Sequence, residues 1–166
     1  MFTKDQTLLR QYESAEPAIT AHLREWGFDM NLQAMVTDNI SELLVKIIEF
    51  TENRQKILTR NINCMHRCDF VPMDLAVDEF SDLLNTAIEE HLCSDRLVLC
   101  DTANIKFDVE GELKVEPVID GGALELFKDS QDEYLEDQIN RLLENALNQR
   151  VAAELLRERE ATTAVF

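Results

Sequence analysis

Glycine, proline and aromatic residues are scarce in this chain of 166 residues, which has four glycines, three prolines and 7% aromatic side chains. The scarcity of glycine and proline excludes collagen-like and Pro/Gly-rich low-complexity proteins, because both classes need these residues in quantity. Apolar residues make up 45% of the sequence and recur at regular spacings, which argues against a fully disordered chain. The length suits one domain with a hydrophobic core and is short for two.

Basic residues are also few: the chain has 16 lysines and arginines but 33 acidic residues, which gives a formal charge of −17. A chain this negative repels phosphate groups, and we find no local basic patch, so we expect neither a nucleic acid partner nor binding to anionic membranes. Residues 69–120 carry fourteen of the acidic residues and only three of the basic ones. This stretch predicts a solvated acidic surface or, as the sharper alternative, a site for a cationic partner.

Long apolar runs are missing as well. Lys46 and Glu49 interrupt the longest apolar stretch, so no segment reaches the roughly 18 residues that a membrane-spanning helix needs. The N-terminal residues show neither the apolar h-region nor the cleavage site of a secretory signal peptide. We therefore expect no membrane insertion and no export through a cleaved signal.

The common catalytic and cofactor motifs are absent: there is no G-x-S-x-G, P-loop, G-x-G-x-x-G or H-E-x-x-H pattern. Cys64, His66 and Cys68, with Cys93 and Cys100 further on, are the best candidates for zinc ligands. The C-x₂-C spacing that lets two thiolates converge on zinc is missing, however. We expect free thiols, no metal, no cofactor and no enzyme activity, and we rank a metal-binding regulatory module last among the functions.

The N-terminal extension, residues 1–37, contains one predicted short helix. Pro17 suits a first helical position, and Ile19, Leu23 and Trp26 then share one face before Gly27 ends the helix. Such a helix either caps the core or docks a partner.

Residues 38–166 are predicted to form a single domain with a helical core at 38–92 and 130–162. The first long helix starts at about Asn31 or Asp38 and ends near Asn63, with an amphipathic stripe that must pack against another helix. Residues 64–74 are expected to form a loop, and a second helix is expected from Ala76 to Leu92.

The spacing of apolar residues changes in the acidic region, residues 95–120. Residues 96–100 are predicted to form a strand, and the alternation around Ile105, Phe107, Leu113 and Val115 predicts a β-hairpin. Gly121 and Gly122 are expected to form a flexible join.

The last helix is predicted at 131–162, because Ser130 and Glu133 form a capping box in front of it. Its apolar residues near a 3.5-residue repeat predict the seam Leu135, Ile139, Leu142, Ala146, Ala153 and Leu156, with Gln149 between them. The predicted fold is therefore mainly α, with long N- and C-terminal helices paired as in a coiled coil and a small β-hairpin insertion.

Two segments resemble the flagellar basal-body rod proteins, specifically the proximal rod subunit. Residues 54–62, RQKILTRNI, resemble the family pattern R-Q-x-[VI]-L-A-x-N-[IL] and align with it without a gap, so Asn61 and Ile62 fall on its Asn-apolar pair. Phe70 then falls on the aromatic after the family's T-P-G turn, and Asp74 falls on its Asp-apolar pair. Near the other end, residues 126–129 and the run 145–147, Asn-Ala-Leu, match at the expected spacing, so the resemblance covers about residues 40–166.

The sequence departs from the family pattern at three turns or signatures. Cys64 replaces the second Asn of N-A-N, residues 67–69 replace T-P-G, and residues 129–131 replace D-G-N.

The resemblance implies a structural subunit that self-assembles through its terminal helices, with other rod and basal-body proteins and itself as partners. It also implies transit through the flagellar export apparatus to a periplasmic basal body. The residues expected to serve helix pairing and assembly are Leu43, Ile47, Phe50, Asn61, Ile62, Phe70, Asp74, Leu142, Asn145, Ala146 and Leu147. The alternative is a cytosolic acidic chaperone or adaptor for flagellar or type III export, which the low pI and small size also suit.

Overall fold

The computed structural model describes residues 39–94 and 96–163, so the short helix predicted in the N-terminal extension lies outside the described residues. The described helices are α1 (Asn39–Cys64), α2 (Val77–Ser94), α3 (Gly121–Asp129) and α4 (Gln131–Thr163). The described strands are β1 (Met73–Asp74), β2 (Ile105–Phe107), β3 (Leu113–Val115) and β4 (Val118–Ile119). None of these helices is long and apolar enough to cross a membrane.

The two long helices, α1 and α4, pack against each other along most of their length and run antiparallel. Asn61, near the end of α1, contacts Gln138 near the start of α4, whereas Thr51 contacts Asn145 further along α4. This arrangement confirms the predicted mainly helical fold with paired long helices and a small antiparallel insertion.

The main hydrophobic core lies where α1, α2 and the β2–β3 hairpin meet. The apolar stripe of α1 faces it through Leu43, Ile47 and Phe50, all buried as predicted from their spacing. The rings of Phe50 and Phe80 stack in parallel with 3.9 Å between their centroids. Burial of each such large side chain contributes roughly 1.5–3 kcal/mol, so this cluster is the main source of stability.

The predicted hairpin forms between β2 and β3, with Ile105 opposite Val115. Gly111 lies in its turn with a φ of 80°, a conformation that side chains with a Cβ rarely adopt. Lys46 and Glu49 of α1 tie the hairpin down: Lys46 Nζ donates to the Gly111 carbonyl, and Glu49 Oε2 accepts from the Leu113 N–H at 3.2 Å.

The strand predicted at residues 96–100 does not form, and this prediction was wrong. The segment is irregular; Leu97 and Leu99 are half-buried against the core, while Val98 is exposed. A short run of apolar residues therefore indicates partial burial here and not a paired strand.

A second small sheet and a short helix were not predicted. Residues 64–74 were expected to be a loop, yet Met73 and Asp74 form β1, which pairs antiparallel with β4. Gly121 and Gly122 are not a flexible join; they open α3, because the Asp120 carboxylate caps the helix by accepting from the Ala123 N–H at 2.9 Å.

Candidate assembly interface

The side of α4 that faces α1 is displaced by one residue from the predicted seam. The buried or partly buried positions recur with a spacing of three and four residues: Tyr134, Gln138, Arg141, Asn145, Asn148, Ala152 and Leu155. The prediction placed each contact one residue later, which corresponds to a rotation of about 100°. Ala146 and Leu147 were expected in the pairing and are instead exposed, and Leu142 is half-buried.

Asn61 of α1 lies at the centre of one polar contact between the two helices. Its Nδ2 donates to the Met73 carbonyl at 2.7 Å and to Gln138 Oε1 at 2.9 Å. Its Oδ1 accepts from the Met73 N–H at 3.3 Å. The side chain is buried, so it joins α1, β1 and α4 through directional bonds that are costly to leave unmade.

Asp74 of β1 is the centre of a second polar contact. The carboxylate accepts two bonds from Arg54, from Nε at 2.9 Å and from Nη2 at 2.8 Å. It also accepts from the Leu75 N–H at 2.8 Å and lies 3.5 Å from Arg141 Nη1. The Arg54 and Asp74 side chains are only 12% and 9% exposed, which makes this a nearly buried bidentate pair.

Arg141 extends the same cluster along α4. It contacts Asp120 through Nη1 and Asp137 through Nε, the latter at 2.8 Å. Burial by itself lowers the pKa of the guanidinium, but the hydrogen bond and charge of Asp120, with those of Asp137, raise it above the usual value. Asp120 thus caps α3 and holds α4 at the same time.

Phe70, Phe127 and Tyr134 form an aromatic cluster at the end of the helix pair where α4 begins. The three rings meet edge to face with centroids 5.1–6.0 Å apart. Tyr134 is completely buried, and its hydroxyl finds no hydrogen-bond partner among the described residues. Burial, followed by the nearby Asp120 charge, raises the pKa of Tyr134 to about 12.

Asn145 is buried between the long helices, where its Nδ2 donates to the Thr51 carbonyl at 2.8 Å. The Oδ1 atoms of Asn145 and Asn148 are buried and accept no bond from any residue that the structure describes. Asparagine in a helix seam selects one register at a cost in stability.

An apolar stripe lies on the opposite side of α4. We define it by Ile139, Leu143 and Leu147, which follow one another at four-residue intervals and are 42%, 60% and 54% exposed. Ala146 is exposed among them, and no element described at 39–94 or 96–163 covers them. The stripe is about 12 Å long, since each helical residue rises 1.5 Å.

The predicted set of site residues thus falls into three groups. Leu43, Ile47 and Phe50 lie in the main core, and Ile62 is half-buried near the end of α1. The second group makes the polar and aromatic contacts that hold α4 in place: Asn61, Phe70, Asp74 and Asn145. The third consists of Leu142, Ala146 and Leu147, on or beside the stripe.

Sequence reasoning missed four partners of these residues: Arg54, Tyr134, Gln138 and Arg141. Tyr134, Gln138 and Arg141 of α4 precede Asn145 at alternating spacings of four and three residues. This heptad-like spacing is the signal that would have identified the polar side of α4 that faces α1. Arg54 lies within the apolar stripe of α1, and a charge there needs a buried partner, which is the signal that would have identified this residue.

The four cysteines are free thiols: Cys64 is half-buried, and Cys68, Cys93 and Cys100 are exposed. Across the part of the chain that the structure describes, no group of three or more His, Cys, Asp or Glu side chains is placed to hold a metal ion.

No protein-family model, curated protein or solved structure matches this chain.

Proposed function

We propose that this protein is a non-catalytic structural subunit of the bacterial flagellar basal-body rod that assembles through its long helices. The observation that carries the proposal is the exposed apolar stripe on α4, on the side opposite the polar seam. The resemblance of residues 54–62 and 145–147 to rod proteins indicates which assembly this protein would join.

The physical argument concerns where the apolar side chains of α4 lie. An amphipathic helix of a monomeric protein normally turns its apolar face to the core. Here α4 turns Gln138 and Asn145 inward and leaves Leu143 and Leu147 in solvent. Leu143 and Leu147 are 60% and 54% exposed, so burying the rest of each in a contact between subunits contributes roughly 1–2 kcal/mol and favours association.

Charge placed on the stripe tests the proposal. Ala146→Glu and Leu143→Glu add a carboxylate at exposed positions, so the monomer should fold normally while assembly is lost. Val109→Glu is the matched control, because Val109 is fully exposed on the hairpin that docks on α1. Sedimentation velocity of the purified chain measures association, and circular dichroism checks the fold. Normal association of both stripe variants contradicts the assignment of this surface.

The biological half of the proposal is tested in the native cell. Purified hook–basal bodies are probed for this chain by antibody, with the soluble fraction as the comparison. Co-purification with the rod supports the structural role and a periplasmic location after export. A chain that stays wholly in the cytosol while rods form without it refutes the role, and the acidic export chaperone then becomes the leading function.

A further inference from the structure

The apolar stripe on α4 is symmetric about Leu143, and charges of opposite sign flank it. Ile139 and Leu147 lie four residues to either side of Leu143. Glu136 and Arg150 lie seven residues to either side of it. We propose that two copies of this chain pair through the stripe as an antiparallel, two-fold symmetric dimer with Leu143 on the symmetry axis. The pairing stands on these residues, whereas its role before assembly rests on the function proposed above.

All five side chains lie on one face of the helix. With about 100° per residue, Ile139 and Leu147 lie about 40° to either side of Leu143. By the same geometry, Glu136 and Arg150 lie about 20° to either side. All five are exposed, and the two leucines are more than half exposed. A second helix can therefore pack on this face without any change in the fold.

Glu136 and Arg150 favour one orientation of the partner helix. In an antiparallel pair centred on Leu143, Glu136 of each copy faces Arg150 of the other, so the dimer gains two attractive contacts. In a parallel pair each of these residues faces its own counterpart, and both contacts are repulsive. Among the residues that the structure describes, neither side chain has an ion-pair or hydrogen-bond partner, so both are available to a second copy.

The charges further from the axis do not reverse this preference. Asp132 and Glu154, eleven residues to either side of Leu143, face each other with like charge in the dimer. Glu154 is already paired with Arg157 of its own helix at 2.7 Å, which reduces its repulsion of the partner. Packed helices also cross at an angle of about 20°, so the helices lie further apart at these positions than near the axis.

A two-fold pair is a closed form of association. Both copies use the same surface, so a third copy finds no free stripe. The contact from residue 136 to residue 150 spans about 21 Å of helix. This is short for a permanent interface, and we therefore expect a reversible dimer. In the proposed rod role, the dimer covers the stripe until the chain joins a growing assembly, whose several contacts then replace it.

Charge reversal tests the pairing because it opposes the effect of net charge. Glu136→Arg reduces the net negative charge, so general repulsion between copies predicts tighter association. Antiparallel pairing predicts the opposite: two attractive contacts become repulsive, and the dissociation constant should rise about tenfold. Glu136→Arg/Arg150→Glu exchanges the two charges, so the dissociation constant should return to that of the wild type. Glu144→Arg is the matched control, because Glu144 is exposed about 100° around the helix from Leu143, and it should not weaken the dimer.

Sedimentation equilibrium of the purified full chain measures the dissociation constant, and circular dichroism checks the fold of each variant. A dimer that Glu136→Arg leaves unchanged or strengthens overturns the antiparallel register. A double variant that stays as weak as the single one overturns it too. Growth beyond the dimer overturns the closed pair, and a wild-type chain that is still a monomer at millimolar concentration overturns the pairing altogether.

The dimer and the proposed function can fail separately. A purified chain that dimerises as expected but is absent from hook–basal bodies refutes the rod role and leaves the pairing intact. A chain that is present in the rod but stays a monomer when purified refutes the pairing and leaves the rod role intact.

Discussion

Removal of the Asp74 charge should destabilise the fold strongly. Asp74→Asn keeps the side-chain shape and an acceptor for the Leu75 N–H, but it removes the counter-charge of Arg54. Arg141 keeps Asp120 and Asp137, so its loss is small. Arg54, at 12% exposure, is left as an unpaired charge in a nearly buried position.

The magnitude follows from that burial. Breaking a buried ion pair by removing one partner costs about 3–5 kcal/mol, and we expect about 3 kcal/mol here because some solvent reaches Arg54. Small proteins lose about 2 kcal/mol of stability per molar urea, so the unfolding midpoint should fall by about 1.5 M. Equilibrium urea unfolding, followed by circular dichroism, measures this shift.

A matched control is available on the surface. Asp69 also pairs with an arginine, Arg67, but both side chains are about two-thirds exposed. Asp69→Asn should leave the midpoint unchanged within error, because exposed pairs contribute little. Equal effects of Asp69→Asn and Asp74→Asn would refute the reasoning. Arg54→Leu/Asp74→Leu should recover part of the loss, since an apolar pair leaves no uncompensated charge.

Three further predictions concern other buried or docking contacts. Asn61→Ala should cost about 2–3 kcal/mol in urea unfolding, because buried partners on β1 and α4 lose their bonds, whereas exposed Asn63→Ala should have no effect. Tyr134→Phe should raise the midpoint for thermal unfolding by removing a buried hydroxyl with no partner in the described chain, a gain of about 1 kcal/mol; a lower midpoint contradicts this. Two bonds from Asn104 lower the pKa of Glu79 below its ordinary 4.5, so this contact stabilises the fold above that pH and is lost as the pH falls further. Hydrogen exchange of the hairpin amides should show this acid dependence, and Glu79→Gln should flatten it.

The sequence predicted α1, α2 and the hairpin well because each has one clear apolar face. In α1 the stripe through Leu43, Ile47 and Phe50 faces the core in the structure as its period indicated. Half of the capping box formed at the start of α4: the Glu133 N–H donates to Ser130 Oγ at 3.3 Å, whereas the Ser130 N–H donates to the Leu126 carbonyl at 2.8 Å. Local signals such as these depend on residues close together in the chain, and sequence patterns report them directly.

The seam of α4 was misplaced because its inward face is set by distant partners. A search for periodic apolar residues passes over Gln138 and Asn145 because both are polar. They can be buried because Gln138 accepts a hydrogen bond from Asn61 and Asn145 donates one to the Thr51 carbonyl. The β1–β4 pair was missed for a similar reason, since two-residue strands carry almost no periodic signal in the sequence. Contacts between residues far apart in sequence therefore determine the inward face of α4 and the β1–β4 pairing, and local sequence patterns do not report such contacts.

The orientation of α4 also bears on the assembly role proposed above. Hydrogen bonds to Asn61 and the ion pairs of Arg141 are directional, so they hold α4 in one rotation about its axis. Net stabilisation by each neutral bond is only about 1 kcal/mol, whereas burial of the exposed part of Leu143 or Leu147 contributes roughly 1–2 kcal/mol. A subunit that stabilised only itself would turn these leucines inward. The polar seam instead keeps α4 fixed while its apolar side stays available, which is the arrangement that a subunit needs if its remaining burial is to come from its neighbours.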